Sequence, residues 1–128
     1  MLAARAAARV CGTLHVVLPP VLEQIYPYTA IAYERRVPIN IYGAHTCPAL
    51  PRAIARYADY PNTDIFTVEG DSPAALEGVI AFVIAADGDP AAAPHVVVDP
   101  ELLLGDLRLD FDAPVVRTPA DAMTELWR

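Results

Sequence analysis

The sequence predicts a single α/β domain. Short β-branched runs alternate along the chain with segments of helical spacing, an order typical of α/β domains. Two of the helical segments follow a Ser-Pro or Thr-Pro pair, a cap residue followed by proline at the first helical position. Neither a repeat nor a linker interrupts the 128 residues, of which 55% are hydrophobic, so the whole chain is expected to share one core.

The expected strands are identified by alternating polarity or by a high Val and Ile content, and each stops at Gly, Pro or Asp. They are residues 13–18, 37–42, 64–69, 96–99 and 102–111. The last segment alternates Leu107, Leu109 and Phe111 with Arg108 and Asp110, which predicts a half-exposed strand.

The expected helices occupy the intervals around those strands. They are residues 2–9, 21–26, 48–60, 72–86 and 118–127. The first belongs to an N-terminal helical extension, residues 1–12, that precedes a core spanning residues 13–128. Ile80 and Phe82 lie in a segment that is apolar nearly all round, which predicts a buried central helix. Residues 29–33 are compatible with either a helix or a strand.

The charge is divided unevenly between the two halves of the chain. Residues 1–63 hold six Arg against three acidic residues, a net charge of +3, whereas residues 64–128 hold three Arg against thirteen, a net charge of −10. This division predicts a protein partner, either a basic protein or a second copy, and argues against nucleic acid as the partner of the C-terminal half. A solvated acidic face that only keeps the protein soluble is the alternative.

The cysteine count indicates a reducing compartment. Cys11 and Cys47 are the only cysteines and form no C-x-x-C motif, so we expect a cytoplasmic protein rather than a disulfide scaffold. No apolar run approaches the ~20 residues that cross a bilayer, so no membrane association is expected. The glycines are scattered and form no phosphate-binding loop, and no cofactor is predicted.

The segment most informative about function runs from residue 39 to residue 50. Here a strand leads through a short loop to Cys47 at the start of a helix, where backbone N–H groups and the helix dipole would stabilise a thiolate. Cys47 is therefore the candidate catalytic residue, and His45, Pro94 and His95 are candidates for binding a substrate or partner. An inert, partly buried Cys47 and an ordinary trans Pro94 at a strand start are the alternatives.

These features resemble the thioredoxin/glutaredoxin superfamily, in which the first cysteine of C-P-x-C opens a helix and a cis-proline before a later strand packs against it. The resemblance implies a three-layer α/β domain, in which helices flank a mixed central sheet and residues 39–42 and 96–99 are neighbouring strands. It also implies that Cys47 is the nucleophile and that Pro94 is a cis-proline in contact with it. Leu50 stands where the resolving cysteine would be, which excludes dithiol chemistry within this motif. The resemblance therefore implies a thiol-dependent domain or a binding module without catalytic activity.

Two other groups of residues carry weaker signals. His15, His45, His95 and Cys47 lie on distant segments without the spacing of metal ligands, so no metal site is predicted. The acidic side chains of the C-terminal half lack the periodicity of a calcium loop, and a solvated edge is the more ordinary interpretation. They are Asp99, Glu101, Asp106, Asp110 and Asp112.

A set of tyrosines and arginines predicts a contact surface, since both residue types are enriched at protein interfaces. The set consists of Tyr26, Tyr28, Tyr33 and Tyr42 with Arg35 and Arg36. Tyrosines half-buried over a core are the alternative. Together with the charge division, the set supports a second functional hypothesis, in which the chain is an adaptor subunit of a multi-protein assembly, such as a viral one.

Overall fold

The computed structural model describes residues 12–87, 94–99 and 113–126, and this part of the chain folds as an α/β domain. Its strands are β1 (Thr13–Val17), β2 (Ile39–Ala44), β3 (Thr63–Val68), β4 (His95–Val98) and β5 (Val115–Val116). Its helices are α1 (Tyr26–Arg35), α2 (Leu50–Tyr57), α3 (Pro73–Ala86) and α4 (Pro119–Leu126), and a 3₁₀ turn (Leu22–Ile25) precedes α1. The predicted α/β class is confirmed.

The strands form one sheet in the order β3-β2-β1-β4-β5, and every pairing between described strands is parallel. This is the order of the first five strands of a doubly wound sheet, in which the direction of growth reverses beside β1. The predicted mixed sheet is therefore wrong for the described strands. The predicted pairing of residues 39–42 with 96–99 is also wrong, because β1 lies between β2 and β4.

The position of β1 has a simple physical reason. Leu14 and Val16 face one helix layer, His15 and Val17 face the other, and all four side chains are at most 1% exposed. A strand that is buried on both faces lies in the interior of a parallel sheet rather than at its edge.

Helices cover both faces of the sheet. The 3₁₀ turn, α1, α2 and α4 pack on one face around Leu14, Ile41 and Val96. Helix α3 packs on the other face, against Tyr42 and Val97. Right-handed crossovers explain this division, because the strand order runs outward from β1 to β3 and then reverses toward β4, which moves the connecting helix to the opposite face.

The predicted helix start signals are confirmed at both sites. Ser72 Oγ accepts a hydrogen bond from Ala75 N at 3.1 Å, and Thr118 Oγ1 accepts one from Asp121 N at 3.1 Å. Each bond satisfies one of the backbone N–H groups that the first turn of a helix leaves without a partner. The undecided residues 29–33 are helical and belong to α1, which ends where Arg36 adopts a left-handed backbone, with a φ of 59°.

Several predictions about individual segments differ from the structure. Helix α3 is not buried all round: Ile80 is fully buried, but Phe82 is 74% exposed. Strand β5 was not predicted, because two residues are too short to show a periodic pattern. The predicted helix at 2–9 and strand at 102–111 lie outside the described residues. No helix in the described part of the chain is long and apolar enough to span a bilayer.

Candidate functional site

Doubly wound sheets bind ligands at the edge where the parallel strands end, beside the point where the strand order reverses. In this chain the loop that follows β1 is Leu18-Pro19-Pro20. Proline has no backbone N–H, so this loop cannot supply the row of donors that holds a phosphate in nucleotide-binding proteins with doubly wound sheets. The loop after β1 is therefore unsuited to a nucleotide.

Cys47 lies at this same edge, in the loop between β2 and α2, and is half-buried. Its thiol contacts two backbone carbonyl oxygens, that of Pro19 at 3.5 Å and that of Leu18 at 3.7 Å. Helix α2 begins three residues later, at Leu50, whose N–H donates to the Cys47 carbonyl at 3.1 Å. The thiol therefore links the loop after β2 to the loop after β1.

Pro94 lies at the opposite edge of the sheet. It precedes β4, and its carbonyl oxygen accepts a hydrogen bond from Thr13 N at the start of β1 at 2.9 Å. Because the strands are parallel, the end of β2 and the start of β4 cannot meet, so the predicted contact between Cys47 and Pro94 is wrong. The bond before Pro94 involves Ala93, which is outside the described residues, so the predicted cis geometry is not described.

The other two candidate residues are also separated. His45 is exposed on the loop after β2, whereas His95 is 95% buried at the start of β4, where it cannot contact a partner directly. Within the ranges that the structure describes, no group of three or more His, Cys, Asp or Glu side chains is placed to hold a metal ion. The four residues selected from the sequence therefore do not form one site.

The structure instead brings His15 and His95 together beneath α3. His15 Nε2 lies 2.9 Å from His95 Nδ1, and His15 Nδ1 lies 2.8 Å from the Tyr42 hydroxyl. The Tyr42 hydroxyl in turn accepts a hydrogen bond from Asn40 Nδ2 at 3.4 Å. At the other end, His95 Nε2 lies 3.5 Å from Asp87 Oδ2 without the geometry of a hydrogen bond. We call these five residues the histidine chain.

One assignment of hydrogens satisfies each hydrogen bond in the histidine chain. The Asn40 amide donates to the Tyr42 oxygen, and the Tyr42 hydroxyl donates to His15 Nδ1. His15 Nε2–H then donates to His95 Nδ1, which places the hydrogen of His95 on Nε2, a nitrogen that makes no hydrogen bond with Asp87. Both imidazoles are neutral in this arrangement.

Burial keeps the two imidazoles and the Tyr42 phenol uncharged. Burial and, to a smaller extent, the nearby His95 lower the pKa of His15 to about 3. The pKa of His95 is also lowered by burial, although the Asp87 carboxylate opposes this effect. Burial raises the pKa of Tyr42 as well. The pairing of His15 with His95 could not be predicted from the sequence, because nothing in the spacing of the residues shows that β1 and β4 are neighbours.

A second feature lies on the outer surface, where α1 packs beside α2. The Arg56 guanidinium carbon lies 4.5 Å from the centre of the Tyr26 ring and 5.8 Å from that of Tyr57. Ring contacts continue from Tyr57 to Tyr60, with centres 4.9 Å apart, and from Tyr60 to Tyr33, with centres 5.8 Å apart. We call these five residues the tyrosine–arginine seam.

The seam only partly matches the contact surface predicted from the sequence. Tyr26 and Tyr33 belong to it, whereas Tyr28 and Tyr42 are buried in the core, at 3% and 0% exposed. Arg36 lies beside the seam, on the rim of an open hollow of about 440 Å³. The hollow is lined by Ala32, Tyr33, Glu34, Arg36, Pro61 and Asn62.

Comparison with protein-family models, with curated proteins and with solved structures found no match.

Proposed function

We propose that this chain is a protein-binding module without catalytic activity, and that the tyrosine–arginine seam contacts its partner. The observation that carries the proposal is the continuous line of rings and guanidinium at the surface, in which Tyr33 is 61% exposed and Tyr60 is 37% exposed. Tyrosine and arginine are the residue types that most often dominate the binding energy of protein interfaces, together with tryptophan.

The seam is also held in place before any partner arrives. Tyr57 is 2% exposed and its hydroxyl lies 3.2 Å from Thr29 Oγ1 on the neighbouring helix. Tyr60 packs edge-on against this fixed ring, and Arg56 stacks between two rings. A surface that is already ordered loses less conformational entropy on binding, which favours affinity.

We prefer this function to a thiol-dependent one. The Cys47 thiol contacts backbone carbonyl oxygens, and Pro94 lies at the other edge of the sheet. The features that suggested a thioredoxin-like active site are therefore separated in space. The preferred function agrees with the adaptor hypothesis, in which the chain is a subunit of a larger assembly.

The uneven charge supports a second binding mode through a different surface. Residues 64–128 carry a net charge of −10, so self-association or a basic partner on that half remains a prediction. Such contacts are expected to weaken with salt, because the Debye length falls from ~10 Å at 0.1 M to ~3 Å at 1 M. Contacts through the seam, which are mostly aromatic, are expected to depend less on salt.

The seam is tested with a double variant, Tyr33→Ala with Tyr60→Ala, and with Phe82→Ala as the matched control. All three side chains are aromatic and at least 37% exposed, but Phe82 lies on the opposite face of the sheet. Sedimentation measures self-association, and affinity capture from native cells identifies partners. Loss of two aromatic anchors is expected to weaken binding at least 10-fold, whereas the Phe82→Ala control binds like the parent protein.

Two results would contradict the proposed function. In the first, the double variant and the parent protein bind the same partner equally well, which places the interface elsewhere. In the second, the parent protein remains a monomer at high concentration, and every protein that it captures is also captured by the double variant.

A further inference from the structure

We propose that the buried His15–His95 pair acts as an acid switch, which couples the folded state of this domain to the proton concentration. The pair is the point at which β1 and β4 exchange a side-chain hydrogen bond, across 80 residues of sequence. His15 is fully buried and His95 is 95% buried, so a positive charge on either ring would be shielded from solvent. The inference is independent of the seam.

The geometry of the pair admits only one hydrogen between the two rings. His15 Nε2 and His95 Nδ1 lie 2.9 Å apart, which suits one N–H donor facing one acceptor nitrogen. If both rings are protonated, both of these nitrogens carry a hydrogen and the attraction becomes a repulsion between two positive charges. The second proton must therefore separate β4 from β1 or unfold the domain.

The charged and titratable groups around the pair make the first proton easier to accept than the second. At the C-terminal end of α3, Asp87 Oδ2 lies 3.5 Å from His95 Nε2 and attracts a proton to that ring. On β2, Tyr42 faces His15, and on β3, Asp64 acts on Tyr42 rather than on the histidines. The fully buried Asp99 follows β4, two residues beyond the position that pairs with His15. The group whose charge acts on His15 itself is His95, and it disfavours a proton there.

The direction of the pH effect follows from linkage. In the unfolded chain each histidine binds a proton near its ordinary pKa of 6.5, whereas burial lowers the pKa of both rings in the folded protein. Unfolding therefore takes up protons, and acid favours the unfolded state. The stabilisation is complete above about pH 6.5 and is lost progressively as the pH falls toward about 3, the pKa of folded His15.

The test is the unfolding equilibrium in urea, measured at about pH 7.5 and at about pH 5. His15 alone is expected to raise the unfolding constant about 30-fold across this interval, because its pKa is about 3 when folded and 6.5 when unfolded. Most carboxylates have ordinary pKa values of about 4, so they contribute little until lower pH. The variant His45→Asn removes the exposed histidine and is expected to keep the full response.

A double variant removes the switch and leaves fewer buried polar groups without a hydrogen-bond partner. In His15→Phe with Tyr42→Phe, the hydroxyl that would otherwise lose its acceptor is removed along with the imidazole. The pH response of this variant is expected to fall by at least half. An unchanged response would show that other groups are responsible.

A measurement on the parent protein keeps the inference testable if the double variant fails to fold. Imidazole NMR signals followed from about pH 7.5 to about pH 5 in the folded state should show His15 remaining neutral. Folded-state titration of His15 near its ordinary value, or an unfolding constant that rises less than about 3-fold over the same interval, would overturn the proposal.

Discussion

The Ile80→Ala variant is expected to lose about 2–5 kcal/mol of unfolding free energy, the range observed when a large buried side chain is truncated and leaves a cavity. Ile80 is fully buried on the inner face of α3, in the cluster that includes Tyr42 and Val97. Because small domains have a total stability of about 5–15 kcal/mol, this loss is a large fraction of it. Urea denaturation followed by circular dichroism measures the change.

The matched control lies half a helical turn away. Phe82 has a larger side chain than Ile80 but is 74% exposed, so Phe82→Ala is expected to change the unfolding free energy by no more than about 0.5 kcal/mol. The sequence alone predicted a helix that is buried all round, and therefore similar losses for both variants. If the two variants lose equal stability, then the Phe82 side chain is buried in solution and the described orientation of α3 is wrong.

The Gly12→Ala variant is expected to lose about 3 kcal/mol, the upper end of the usual cost of overpacking, because no space is available for a methyl group at this position. A Cβ atom added to Gly12 would lie 1.8 Å from the carbonyl oxygen of Pro94. That oxygen also accepts the N–H of Thr13, so it cannot move without breaking the first hydrogen bond between β1 and the segment leading into β4. Thermal and urea denaturation both report the loss.

Gly78 provides the opposite case within the same chain. It lies in the middle of α3, and a Cβ atom added there meets nothing within 4 Å. Gly78→Ala is therefore expected to stabilise the protein by roughly 0.5–1 kcal/mol, because alanine favours a helix over glycine by about that amount. Equal effects of the two glycine substitutions would contradict the close approach of Gly12 to Pro94.

Local features of the fold could be predicted from the sequence because they depend on neighbouring residues. The caps at Ser72 and Thr118 are confirmed, since a hydroxyl that bonds an N–H three residues later needs no tertiary contact. The order of the strands could not be predicted in the same way. Parallel strands pair across long connections, and the wrong neighbour for β2 followed from a resemblance rather than from any residue pattern.

The same limit applies to the candidate sites. The place of Cys47 between a strand and a helix is local and was predicted, but α2 begins at Leu50 rather than at residue 48, so Cys47 lies in the loop before the helix. The distance of Cys47 from Pro94 depended on the strand order. Tyr57 and Tyr60 were not assigned to the contact surface, because that requires knowing that α1 and α2 lie side by side. The partnership of His15 with His95 likewise required the pairing of β1 with β4.

The central position of β1 also constrains the order in which the native sheet can be completed on the ribosome. Strands β1, β2 and β3 follow one another within the first 68 residues and can pair as soon as they emerge. The other edge of β1 stays unpaired until β4, which begins at residue 95, has been synthesised. The loop that must close to bring β4 beside β1 is long, and its closure is slow because it costs conformational entropy. During that interval the backbone N–H and C=O groups on the β4-facing edge of β1 are unpaired and exposed to solvent and to chaperones. Slower translation between residues 68 and 95 would therefore lengthen the period in which a nascent chain can aggregate through β1.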